Sequence, residues 1–181
     1  IVFVTLYLFV DFVPEYGGID VMGSQWVYLV IINLLSTGYI FCFSKDHGYE
    51  PVLKKLFSTF MARAYVAFLV VAGISIFFAI NRTEALVCYT SVIVTVVAFL
   101  NIAVLLSGRL SAFKVIAQVL SVILLIQSYS TLKAFYEGID TTLLPSLIYN
   151  IKGNTGNKNI FAASMAVKLS FVMYCVYTFK S

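Results

Sequence analysis

Residues 85–106 read ALVCYTSVIVTVVAFLNIAVLL. This stretch of 22 residues carries no charge, and apart from hydroxyls and the Cys88 thiol its one polar side chain is Asn101. As an α-helix it would be about 33 Å long at ~1.5 Å per residue. That covers the ~30 Å hydrocarbon core of a bilayer. Similar runs lie on both sides of it. Trp26–Phe43 has Asn33, Ser36 and Thr37 as its polar members, and Arg63–Ile80 is uncharged from Ala64 onward. Phe113–Thr131 contains Lys114, Gln118 and Gln127, and Ile160–Phe179 has Lys168 in its middle. A sixth run, Ile1–Val13, is broken by Asp11. Its thirteen residues cover only about 20 Å, so it is expected to be a first span cut at its start. Transmembrane strands would need ~10-residue alternating segments, which these are not. The expected fold is all-α: a polytopic transmembrane helix bundle of about six spans, the first truncated. Residues 1–181 would be a single transmembrane domain, the N-terminal part of a longer protein.

Composition supports this. The chain is 61% hydrophobic and 11% charged, against about 25% charged in soluble domains. So large an apolar excess cannot be buried in one small core and is expected to face lipid. Twelve Lys and Arg against eight Asp and Glu give a thin, scattered positive excess. No basic stripe is present that would neutralise a row of phosphates, so nucleic acid is excluded as a partner. Cys42, Cys88 and Cys175 lie in apolar runs without a CxxC pair. They read as small hydrophobes rather than a disulfide framework or zinc site. His47 has no ligand partner nearby in sequence, and no metal or cofactor is expected.

The connectors give an orientation. One set holds Lys45, Lys54, Lys55, Arg63, Arg109, Lys114 and Lys180, and the other holds Arg82, Lys133, Lys152 and Lys158. The positive-inside rule assigns the first set to the cytoplasm. Residues 44–62 then form a cytoplasmic loop whose PVLKKLFSTF stretch is an interfacial amphipathic segment. Residues 132–159 form an outer loop, with Leu143, Leu144, Leu147, Ile148 and Tyr149 dipping against the membrane surface.

That loop ends in the densest polar cluster of the chain, NIKGNTGNKN, residues 150–159. Glycines allow tight turns that present backbone N–H groups. Asn157 or Asn159 is expected to cap a helix starting near Ile160. The helix N-terminus would favour an anion, with Lys152 and Lys158 as flanking cations. A plain capped turn with solvated lysines is the alternative. Lys168 is costly in mid-membrane. It either snorkels, lines a polar cavity below the outer site, pairs with a carboxylate (of which the other spans offer almost none) or meets a partner subunit. Asn33, Asn101, Gln118 and Gln127 read as interhelical hydrogen bonders. The Asn81-Arg82-Thr83 sequon reads as chance.

GNTGNKNIFAAS, residues 153–164, resembles the motif of the bacterial O-antigen ligase and O-antigen polymerase family of membrane glycosyltransferases. Gly153, Gly156, Asn157 and Asn159 match the pattern, and Ala162 and Ala163 open the following helix. Thr155 stands where the family has phenylalanine, Lys158 where it has proline, and Asn150 where it has a phosphate-engaging arginine. The resemblance covers the N-terminal half of such an enzyme. It implies further spans and an outer loop with a catalytic histidine after this motif. It also implies a glycan transferred from undecaprenyl pyrophosphate at the outer face of the inner membrane, in lipopolysaccharide or polysaccharide biosynthesis. An acceptor hydroxyl would attack the anomeric carbon and the pyrophosphate would leave, without a metal or cofactor. The candidate substrate-binding residues are Lys152, Gly153, Gly156, Asn157, Lys158, Asn159 and Lys168, and none is assigned as catalytic. The partners implied are the bilayer, a polyprenyl-pyrophosphate-linked glycan and partner membrane subunits. The competing reading is a non-catalytic multi-span subunit of a secretion or motility machine. A transporter ranks below both, because Lys168 is the one charge at mid-span.

Overall fold

The long apolar runs fold as helices. The computed structural model describes residues 1–14, 16, 21–140, 143, 144, 146, 147, 151, 153 and 158–179. In chain order its elements are α1 (Val2–Leu8), a 3-10 turn (Val10–Phe12), α2 (Val21–Cys42), α3 (Tyr49–Ser58) and α4 (Phe60–Ser75). A second 3-10 turn (Ile76–Phe78), α5 (Arg82–Leu106), α6 (Leu110–Gly138) and α7 (Lys158–Phe179) follow. The fold is all-α among the described residues. Five segments are long and apolar enough to cross a membrane: Met22–Cys42, Phe60–Phe78, Arg82–Leu106, Ser111–Gly138 and Lys158–Phe179. These are five of the six expected runs.

The sixth departs from expectation. Ile1–Val13 is not one helix: α1 ends at Leu8, Phe9 sits at φ −84°, ψ 1°, and the chain tightens into the Val10–Phe12 turn. Pro14 disfavours helical backbone in the residue before it, and Val13 is extended at φ −69°, ψ 118°. The break turns Asp11 toward the interior of its unit.

Residues 1–25 and 109–181 form one compact unit, and Trp26–Gly108 form a second. In the first, α6 and α7 pack antiparallel. Lys114 lies over the Phe179 ring, Ser121 bonds to the Cys175 sulfur, and Gln127 reaches Lys168. The buried face of α6 is Ala112, Ile116, Ala117, Leu120, Ile123, Leu124 and Gln127, a stripe of helical period. Val4 and Tyr7 of α1 are buried with it. At its C-terminal end α6 runs seven residues beyond the expected span, through Leu132–Gly138. These are mostly good helix formers, and Lys133 and Glu137 pair one turn apart at 3.7 Å. Of the apolar residues expected to dip against a membrane, Leu147 is buried, with its side chain against Gly138. Leu143 and Leu144 are exposed, and Ile148 and Tyr149 lie outside the described residues.

In the second unit, α2 and α5 are joined by polar side chains. Asn33 Nδ2 donates to the Val94 carbonyl at 2.8 Å. Asn101 Nδ2 donates to the hydroxyls of Ser36 and Thr37, both at 2.9 Å. Asn33, Ser36 and Asn101 are all buried, so these bonds act where water does not compete. Asn101→Leu keeps the branching of the side chain and removes the bonds. It is expected to lower stability by about 1–2 kcal/mol, read from unfolding of the purified protein in detergent micelles. An unchanged midpoint would reduce the cluster to incidental contact. Asn81 caps α5: its Oδ1 accepts from Glu84 N, and its Nδ2 donates to Glu84 Oε2. Gly73 lets Tyr89 approach α4 and donate to the Leu69 carbonyl at 3.1 Å. His47 stacks on Tyr49 with ring centroids 5.7 Å apart. The expected amphipathic stretch is α3, where Lys54 pairs with Glu50 at 3.0 Å. No residue of α4 is buried, a surface compatible with lipid contact.

Candidate functional site

The last helix begins two residues earlier than expected. α7 starts at Lys158, so Asn159 is its second residue and not its cap. The position before Lys158 belongs to Asn157, which lies outside the described residues, as do Lys152 and Gly156. Lys158 and Asn159 are exposed. A cation in the first turn of a helix opposes the positive end of the helix dipole. Lys158 therefore adds to a local positive potential rather than relieving it.

Gly153 has φ +55°, in the left-handed region that costs a residue with a Cβ about 1–2 kcal/mol. Space is restricted as well. A Cβ at Gly153 would run into the ring of Phe161, which is buried one turn into α7. The glycine is thus required twice, by its backbone angle and by the ring beside it. Gly153 is thereby held against the first turn of α7.

Ten residues into α7, about 15 Å along its axis, lies Lys168. Its residue surface is 7% exposed. Its Nζ donates to Asp11 Oδ2 at 2.6 Å, to Gln127 Oε1 at 2.9 Å and to Ser164 Oγ at 2.9 Å. An ammonium has three donors, and all three are used. Gln127 completes the circuit by donating from Nε2 to the same Asp11 oxygen at 3.3 Å. The cluster draws on the 3-10 turn, α6 and α7, so it fastens three elements at one level. It is neutral in sum and fully hydrogen-bonded, which are the conditions under which a buried charge is tolerated. Among the described residues no buried side-chain nitrogen or oxygen lacks a partner.

Of the alternatives open for Lys168, the structure takes pairing with a carboxylate. The carboxylate is Asp11, which sequence reasoning treated as an interruption of an apolar run rather than as a partner. The signal was available: Asp11 is the one charge in Ile1–Val13 and Lys168 the one charge in Ile160–Phe179. Two lone opposite charges in apolar runs relieve each other's cost of burial. Ser164, one turn before Lys168, carried no separate signal. The structure thus groups Gly153, Lys158 and Asn159 at the entry to α7 and places Lys168 a few turns below them. No family model, curated protein or solved structure matches the chain.

Proposed function

We propose that the chain is part of a multi-pass bacterial inner-membrane glycosyltransferase of the O-antigen ligase or polymerase kind. In this reading residues 132–159 are periplasmic and residues 44–62 cytoplasmic. Five segments of membrane-crossing length support the membrane assignment. So does the exposure of large apolar side chains such as Phe60, Phe77, Phe78 and Leu34, which water would not tolerate in such number. The observation that carries the enzymatic reading is the GNTGNKN stretch, which runs into the first turn of α7, with Gly153 in the left-handed conformation.

The substrate would be a glycan on undecaprenyl pyrophosphate. The oxygen of an acceptor hydroxyl forms the new bond to the anomeric carbon, and the bond from that carbon to the pyrophosphate oxygen breaks. The hydroxyl proton goes to a general base, and the lipid-linked pyrophosphate leaves with the electron pair. Lys152, Lys158 and the positive end of the α7 dipole would stabilise the charge that develops on the leaving group. The Lys168 cluster would hold α7 at its depth beneath them.

The test is glycan transfer in membranes expressing the whole gene, with protein levels matched. Lys152→Ala and Lys158→Ala each remove a charge-assisted phosphate contact worth roughly 1.5–3 kcal/mol. Each should reduce use of the lipid donor about 10- to 100-fold, Lys152→Ala more, because it lies nearer the position of the family's arginine. Undiminished transfer by the double variant would remove both lysines from the mechanism. The scaffold-subunit reading draws on a different observation, that no residue of α4 is buried. It would be favoured if matched membranes showed no transfer with the unaltered protein.

A further inference from the structure

Within the second unit, α3, α4 and α5 enclose a groove of about 500 Å³. Its walls are apolar and include Leu56, Phe57, Met61, Tyr65, Val96 and Phe99. Leu56 also lines an adjoining groove of about 470 Å³, which is bounded by Lys55, Thr59 and Ser107. Leu56 thus faces both spaces, one apolar and the other polar with a cation on its rim. Among the described residues no ion pair reaches Lys55, whereas its neighbour Lys54 is held by Glu50. The Thr59 hydroxyl is committed to the Leu56 carbonyl and to the Ala62 N–H.

The dimensions select an occupant. The residues of α4 and its N-cap that line the two spaces run from Thr59 to Leu69, about 15 Å at ~1.5 Å per residue. That is half of the ~30 Å hydrocarbon core, the depth of one leaflet and of one acyl chain. The cation stands where the headgroup of such a lipid would lie, and α3, which carries it, has the amphipathic pattern of an interfacial helix.

We propose that the groove between α3, α4 and α5 binds one anionic glycerophospholipid, with an acyl chain along α4 and the phosphate against Lys55 and the Ser107 hydroxyl. The occupant is lipid rather than a partner helix because a cylinder of side chains does not match a slot one leaflet deep that ends at a cation. The site shares no residue with the entry to α7 and does not depend on the function proposed above.

The experiment is native mass spectrometry of the purified protein in detergent, titrated with dioleoyl phosphatidylglycerol or dioleoyl phosphatidylcholine. Phosphatidylglycerol should be retained about fivefold more tightly, the share of one lysine at a headgroup. Lys55→Gln should abolish that preference, and Lys54→Gln should leave it intact. Ala62→Trp, which fills part of the groove and spares the cation, should weaken both lipids by about tenfold, the burial of about two methylene groups. Lys55 is exposed, so its variant tests the site even if Ala62→Trp fails to fold. Equal retention of the two lipids by the unaltered protein would overturn the proposal. So would an unchanged preference in Lys55→Gln, or a protein dimer in place of the lipid adduct.

Discussion

Asp11→Ala is expected to destabilise the protein by about 3–5 kcal/mol, the cost of leaving one member of a buried ion pair without the other. The magnitude follows from the surroundings of Lys168. Its ammonium is nearly sealed from solvent and has three acceptors, of which Asp11 supplies the only negative charge. With alanine at position 11, Gln127 and Ser164 remain as dipoles facing a full charge. Asp11→Asn should cost less, since an amide oxygen still accepts from Nζ. Removing the cation as well should recover much of the loss: Asp11→Ala with Lys168→Met leaves no buried charge and an unbranched side chain of similar length. Chemical unfolding in detergent micelles of the four proteins forms a double-mutant cycle that isolates the pair. A cost below about 0.5 kcal/mol for Asp11→Ala, the range of an ordinary surface substitution, would mean that the pair does not hold α7.

Gly153→Ala comes next in size. The left-handed backbone costs the new Cβ about 1–2 kcal/mol, and overpacking against Phe161 adds about 1–3 kcal/mol. The two parts are separable. Phe161→Leu removes the ring edge that the Cβ would meet, so Gly153→Ala should cost less in that background, with the backbone part remaining. Thermal unfolding of the four variants reads both. If the proposed function holds, Gly153→Ala should also depress glycan transfer more than its loss of folded protein accounts for. A fully additive cycle would show that the ring does not confine residue 153.

The sequence made the long helices legible because length and the absence of charge suffice to define them. Residues 85–106 need no knowledge of their neighbours to be read as a membrane-length helix. What it hid depends on pairs of residues distant in the chain. The break in Ile1–Val13 follows from Pro14 and from the pull of Lys168 on Asp11, and the second cause is invisible without the packing of the 3-10 turn against α6 and α7. The extension of α6 through Leu132–Gly138 was missed for a different reason: its residues are polar enough to read as a connector, yet they are good helix formers. At the entry to α7 the glycines announced a turn, and Gly153 is in the conformation that only glycine adopts readily. Of the two expected caps, Asn159 lies inside α7, because Lys158 is an unexpected residue with which to open a helix, and Asn157 lies outside the described residues. The hydrogen bonds of Asn33, Asn101 and Gln127 were anticipated as a class, though not their partners.

The join between Asp11 and Lys168 spans 157 positions of chain, which sets an order on the making of the protein. At about 5–20 residues per second, Asp11 leaves the ribosome roughly 8–30 s before the lysine that neutralises it. During that interval the first thirteen residues hold a carboxylate with no cation to offset it, and a turn with nothing to anchor it. They cannot settle until α7 has been synthesised and inserted beside α6. Residues 1–13 are thus made long before they find their place, and a nascent chain stalled before Lys168 would present them unanchored to the proteases that survey membrane-protein assembly.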